Sequence, residues 1–167
     1  MLATTSADLA ALAPRDFDAA LFNLHYSLER ARLAERGALD TIHNGIGDTR
    51  DADGWNLSDE DAEQQGRRMR RSSGVANLDI ARQAQRSLAR DIADYEAVFA
   101  RRGGWQRFYV VRNASAHLLH VTTDCPACYR DTATPEIVWR TDLAGCTVAE
   151  VATRPHLSGS LCPTCTP

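Results

Sequence analysis

The sequence predicts an α+β fold in two parts, a long antiparallel helical hairpin over residues 1–104 and a small β-rich module over 105–167. Three observations lead there. Apolar residues recur at helical spacing along two N-terminal stretches, short strand-like runs separated by turn residues fill the last 63 residues, and two Cys-Pro-x-Cys pairs sit among those runs.

The first helix follows from Phe17, Leu21, Leu24, Leu28, Ala31, Ala38 and Ile42, an alternating four- and three-residue stripe with Glu35 at its one polar position. It is expected over about 16–43, preceded by a short helix over Ala7–Ala13. Leu78, Ala81, Leu88, Ile92, Tyr95 and Phe99 repeat the stripe with Gln85 as the polar member, and Gly103-Gly104 closes it near Arg102. Ser58 followed by Asp59, Glu60 and Asp61 reads as an N-cap with acids in the first turn. Continuity from Ser58 to Arg102 is expected over the alternative, a break at Ser72-Ser73-Gly74 with Asn77 capping the second piece. Glu35 and Gln85 are expected as exposed edge positions, because an unpaired polar pair inside the seam is costly. The linker, Asn44–Leu57, carries a partial calcium-loop pattern from Asp51, Asp53, Gly54 and Glu60. Thr49 and Asn56 break that pattern, so it reads as a solvated acidic connection.

In the C-terminal part, Trp105–Val111 reads as a strand, Asn113-Ala114-Ser115 as a turn and His117–Val121 as the returning strand. Glu136–Arg140 forms a third. A short helix over Gly145–Arg154 takes Thr147 as N-cap and Glu150 as its capping-box partner. The segment holds few large apolar residues, and a module of about 60 residues with so small a core needs a staple.

Cys125-Pro126-Ala127-Cys128 and Cys162-Pro163-Thr164-Cys165 supply it. Two such turns, separated by 33 residues, each deliver two thiolates to one ion and together complete a tetrahedral zinc shell of Cys125, Cys128, Cys162 and Cys165. The expectation is one structural Zn2+ and a zinc-ribbon-like module. Redox-active Cys-x-x-Cys pairs and disulfides are the alternatives; the turn-like stretch after Cys128 disfavours the first, and a reducing compartment disfavours the second. Cys146 lacks a partner at ligand spacing. His117 and His120 precede the first pair and are expected as strand residues beside the shell.

Nineteen basic residues, all arginine, against 22 acidic ones leave a net charge of −3 and no overall attraction to phosphate. Arg67, Arg68, Arg70 and Arg71 read as a solvated helix face. Arg82, Arg86 and Arg90, at four-residue spacing, are the better candidates for nucleic-acid contacts. No phosphate-binding glycine loop or nucleophile elbow appears, and four thiolates leave no open metal position, so the chain reads as non-catalytic. Met1–Pro14 lacks the basic start of a signal peptide and no run reaches membrane-span length, which leads to the expectation of a cytoplasmic protein with no membrane partner.

Trp105, Arg107, Phe108, Val110, His117, His120, Cys125, Cys128, Pro135, Glu136, Leu143, Gly145, Thr147, Glu150, Leu161, Cys162 and Cys165 form a pattern that resembles a group of small, uncharacterised proteins of actinobacterial phages and plasmids. The absence of lysine, as expected of a GC-rich coding sequence, agrees with that source. Cys146 departs from the pattern, which holds a polar residue there. The resemblance implies a zinc-binding accessory protein of a mobile genetic element, in the host cytoplasm if phage-encoded. Its expected partner is a host or phage protein, engaged through the module or the hairpin, and self-association through the hairpin is a further expectation. Nucleic-acid binding is the alternative function.

Overall fold

The computed structural model of the chain describes residues 6–51, 54–69, 72–112, 117–129, 135–157 and 161–165. The fold is α+β, with helices in the N-terminal half and a small antiparallel sheet in the C-terminal part. Two compact units divide the chain, Met1–Phe22 with Asp94–Pro167 as one and Asn23–Ala93 as the other. The boundary expected at residue 104 lies inside the first of these. Among the described residues no helix is long and apolar enough to cross a membrane.

The Asn23–Ala93 unit holds most of α2 (Pro14–Ile46), a minimal hairpin of β1 (Arg50–Asp51) and β2 (Gly54–Trp55), α3 (Asp59–Arg68) and most of α4 (Ser72–Arg101). Its core is Ala38, Leu39, Ile42, Ala62 and Leu78, flanked by Ile46, Leu57 and Val75. Ser58 caps α3 as its sequence foretells, its hydroxyl accepting from the Asp61 N–H at 3.1 Å.

The expected continuous second helix is instead two helices. α3 ends at Arg68, where the Met69 N–H donates to the Gln65 carbonyl at 2.9 Å, and α4 starts at Ser72, upstream of the Asn77 considered as a cap. The reason lies in Ile42. A Cβ placed on Gly66 or on Gly74 would come within 2.9 Å of its side chain. In one straight helix those two glycines would stand about 12 Å apart along the axis, too far to touch the same residue. The break lets both approach it, and only glycine permits the approach.

Glu35 and Gln85 are also corrected: they are partners, not separate exposed edges. The Gln85 amide donates to Glu35 Oε2 at 2.6 Å and to the Ala31 carbonyl at 3.3 Å, so neither polar group is left alone in the seam.

In the other unit, α1 (Ser6–Ala11) contributes Leu9, the first turns of α2 contribute Phe17, Asp18 and Leu21, and the end of α4 contributes Val98, all buried. Gly103 and Gly104 terminate α4 at φ of 79° and 66°, their N–H groups returning to the carbonyls of Ala100 and Phe99. The expected strand from Trp105 begins only at Tyr109, because the preceding residues are committed elsewhere. Trp105 Nε1 donates to Asp18 at 3.0 Å, and Arg107 donates to the same carboxylate at 3.1 and 3.2 Å while its guanidinium lies against the Phe99 and Trp139 rings. Burial pushes the Asp18 carboxyl above its ordinary range despite these donors.

The sheet has β3 (Tyr109–Arg112) at its centre, with β4 (His117–His120) and β5 (Glu136–Trp139) antiparallel on either side. The turn expected at 113–115 lies outside the described residues. α5 (Val148–Ala152) carries both halves of the capping box, Glu150 N–H to Thr147 Oγ1 at 3.2 Å and Thr147 N–H to Glu150 Oε2 at 2.7 Å. Phe108, Leu119, Leu143, Val151 and Leu157 form the core beneath.

Gly74→Val will test the close approach to Ile42. Overpacking against a residue 1% exposed is expected to destabilise the protein by about 1–3 kcal/mol. Urea denaturation will measure it, and Gly74→Val combined with Ile42→Ala should be less destabilising than the sum of the two single changes.

Candidate metal centre

Three backbone features bring the cysteine pairs together. β4 runs directly into the first pair, and residues Pro126–Tyr129 turn in a 3-10 helix with the Cys128 N–H on the Cys125 carbonyl at 2.9 Å. The second pair returns alongside β4: Leu161 forms a parallel bridge with Leu119, and the Cys162 N–H donates to the Leu119 carbonyl at 2.8 Å. That bond sets Cys162 beside the end of β4, and His120 is the next residue along.

The result is a cluster of His120, Cys125, Cys162 and Cys165 whose ligand atoms all lie within 4.8 Å of one another. Cys125 and Cys162 sulfurs are 3.9 Å apart, and Cys165 Sγ is 3.7 Å from His120 Nδ1. A tetrahedral zinc ion sets its sulfur–sulfur edges at about 3.8 Å and its sulfur–nitrogen edges at about 3.6 Å, given the usual bond lengths. The cluster can therefore hold a metal ion with little rearrangement. Val111, Leu118, Ala127 and Ile137 pack around Cys125, Cys128 and Cys162, which are buried, with Cys165 half-buried beside them.

Electrostatics differ from one donor to the next. Burial opposes ionisation of Cys162, but the N–H groups of Thr164 and Cys165, with the Thr164 hydroxyl, outweigh it and hold the thiol below its ordinary range. Such N–H···S contacts are what a thiolate needs. Cys165, desolvated and facing the other sulfurs, is pushed up to about 11. Burial also raises Cys128, with the Cys125 and Cys162 sulfurs adding to it, and desolvation lowers His120 toward the neutral imidazole that can ligate.

Set against the sequence, the placement changes in two respects. His120, expected beside the shell, is among the four mutually close donors. Cys128, expected in the shell, is fully buried in the same cluster but directed at the Thr122 carbonyl, 3.9 Å away. His117 is exposed at the far end of β4, and an odd offset of three residues along a strand puts it on the opposite face from His120. None of the five cysteines is in a disulfide; Cys146 packs on the Phe108 cluster, 3.1 Å from the Arg154 guanidinium.

The arginine row divides. Arg82 donates to Glu35 at 2.8 Å and to Glu63 at 2.6 Å, while Arg86 and Arg90 are exposed. Arg67 in turn bridges Glu63 and Asp79. Hydrogen bonds from Arg82 and Gln85 hold the Glu35 carboxyl below its ordinary range. Burial works against the charge on Glu63, but Arg67 and Arg82 outweigh it and lower that carboxyl as well. Of the linker's calcium pattern, Asp53 lies outside the described residues. Thr49 is occupied by Asn56, whose side-chain amide donates to its hydroxyl at 2.6 Å and its carbonyl at 3.0 Å.

One polar cluster carries no sequence signal beyond its residue types. His43 is fully buried, with Nδ1 2.7 Å from Asp48, Nε2 3.0 Å from Asp59, and its ring stacked on Trp55. Trp55 is itself tied to Asp40 at 3.1 Å. The cluster fastens the linker to α2 and to the start of α3.

No protein-family model, curated protein or solved structure matches the chain.

The Arg82 bridge predicts an acid-sensitive contribution to stability. Glu35 and Glu63 titrate lower in the folded chain than unfolded, so their contribution is present above about pH 4.3 and is lost as pH falls through the lowered folded values. Arg82→Leu should lower Tm at pH 7, and the gap from the wild type should narrow below about pH 4.

Proposed function

We propose that the chain is a non-catalytic accessory protein of a mobile genetic element that holds one structural Zn2+ in its C-terminal part and binds a protein partner. The observation that carries the metal assignment is the meeting of three sulfurs and an imidazole within 4.8 Å, from segments far apart in sequence. Soft thiolates with imidazole in a tetrahedral arrangement favour zinc. Burial of three of the four donor residues, His120, Cys125 and Cys162, supports a structural role over a catalytic one, since catalysis at zinc needs a position open to water or substrate. The mobile-element source rests on the sequence resemblance.

Protein binding is supported by large apolar side chains left exposed on helices. Tyr26, Leu33 and Ile80 of the Asn23–Ala93 unit are 58%, 60% and 65% exposed, and an open groove lined by Ala31, Ala34, Gly37, Ala81 and Ala84 lies beside Ile80. Nucleic-acid binding has less support, because Arg82 is already engaged by two carboxylates and the chain is net acidic.

Zinc removal tests the metal role. Chelation is expected to release one equivalent of zinc and to abolish the near-ultraviolet circular dichroism of Trp105 and Trp139, while much of the helical signal persists. Cys162→Ser should reproduce that state without chelator.

Affinity capture from cytosolic extract, in parallel with gel shifts on random DNA and RNA at two salt concentrations, tests the partner class. The expected result is a specific protein captured by the wild type and lost with Leu33→Glu or Ile80→Glu, substitutions at exposed sites that leave the melting temperature nearly unchanged. A gel shift that weakens steeply with salt would instead establish the nucleic-acid reading.

A further inference from the structure

The cluster offers five donors for the four positions of a tetrahedral ion, so one must be left out, and the cysteine spacing alone would leave out His120. We propose that the ion is bound by the thiolates of Cys125, Cys162 and Cys165 and by the His120 imidazole, and that Cys128 remains an unligated thiol beside the shell. This rests on the reading that the cluster binds zinc, and it gives the site one negative charge fewer than four thiolates would.

Three observations lead to this set. The first is distance: the Cys125–Cys162 and Cys165–His120 separations of 3.9 and 3.7 Å already approximate the edges of a zinc tetrahedron. The second is the backbone. The Leu119↔Leu161 bridge and the Cys162 N–H bond to the Leu119 carbonyl lock the second pair against the end of β4, so His120 is delivered to the cluster by the sheet itself. The third is the position of Cys128, the one thiol of the two pairs outside the group of mutually close donors. Cys128 faces the carbonyl oxygen of Thr122 at 3.9 Å, where an S–H can donate weakly and a thiolate would be repelled. A fully buried cysteine with an acceptor in front of it suits a small apolar core residue better than a ligand.

X-ray absorption at the zinc edge of the intact, zinc-loaded protein tests the proposal. The expected shell is three sulfurs at about 2.3 Å and one nitrogen at about 2.0–2.1 Å. Cys128→Ser, and Cys128→Val as a second replacement that keeps apolar volume, should retain one zinc per chain with the same shell, whereas His120→Ala should lose affinity for zinc at least about tenfold. A four-sulfur shell in the wild type overturns the proposal, as does loss of zinc from a folded Cys128 variant alongside its retention by His120→Ala. Failure of the wild type to bind zinc at all would overturn the metal reading itself, a result distinct from either.

Discussion

The hydrogen bond from the Cys162 N–H to the Leu119 carbonyl is the contact on which the C-terminal architecture turns. It carries no metal, yet it decides where one can go. The sheet is three strands of four residues each, too small to impose much order on the segments that follow it. That bond and the Leu119↔Leu161 bridge are backbone ties that hold the last described residues to the sheet. With them, a cysteine pair from the end of the chain is set against the end of β4. Cys125, which follows that strand at a distance of five residues, then needs only a short turn to meet it. The candidate metal cluster is thus the product of strand pairing first and sulfur chemistry second.

The Asn23–Ala93 unit solves a different problem by different means. Its apolar core is modest, Ala38, Leu39, Ile42, Ala62 and Leu78, and two of these five are alanine. Small residues and glycines let backbones approach closely, as Gly66 and Gly74 do at Ile42, but they bury little area and contribute correspondingly little. Hydrogen-bonded polar groups fill the remainder. Arg82 joins Glu35 on α2 to Glu63 on α3 from its own place on α4, so one planar guanidinium fastens three helices. A lysine could not reach both carboxylates with the same geometry. The chain's exclusive use of arginine, read from the sequence as a trace of coding bias, has a structural use at this position.

The fold class, the two long helices, the Ser58 cap, the capping box at Thr147 and Glu150, and the region of the candidate metal centre were all legible in the sequence. Each depends on local chemistry with a short period or a fixed spacing. What was not legible depends on which distant residues meet. Continuity across Ser72 was a reasonable reading of helix propensity, and it failed because a tertiary contact, both glycines against Ile42, outweighed the local preference. Glu35 and Gln85 looked like exposed edges because their pairing spans 50 residues of sequence. The pull of Asp18 on Trp105 and Arg107, which delays β3 to Tyr109, spans 87 and 89. His120 read as a strand histidine for the same reason: its register beside the second cysteine pair follows from the Leu119 bridge, which no spacing rule contains.

Buried and half-buried polar groups among the described residues include two kinds that differ in chemistry. Glu35, Gln85, Arg82 and Glu63 satisfy one another, and His43 is met on both ring nitrogens by Asp48 and Asp59. Such closed networks need nothing from outside, and their role is to define which helices meet and in what register. The cluster at Cys125, Cys162, Cys165 and His120 is of another kind. Sulfur faces sulfur and an imidazole nitrogen, with backbone N–H groups beside Cys162 and Cys165, so its members are metal-ligand types and not paired charges. Soft donors gathered within 4.8 Å of one another, three of the four residues buried, could hold a metal ion. That difference in donor chemistry, soft sulfur and imidazole gathered within 4.8 Å against paired carboxylates and guanidinium, sets the C-terminal cluster apart from the more heavily charged helical seam as the candidate metal centre.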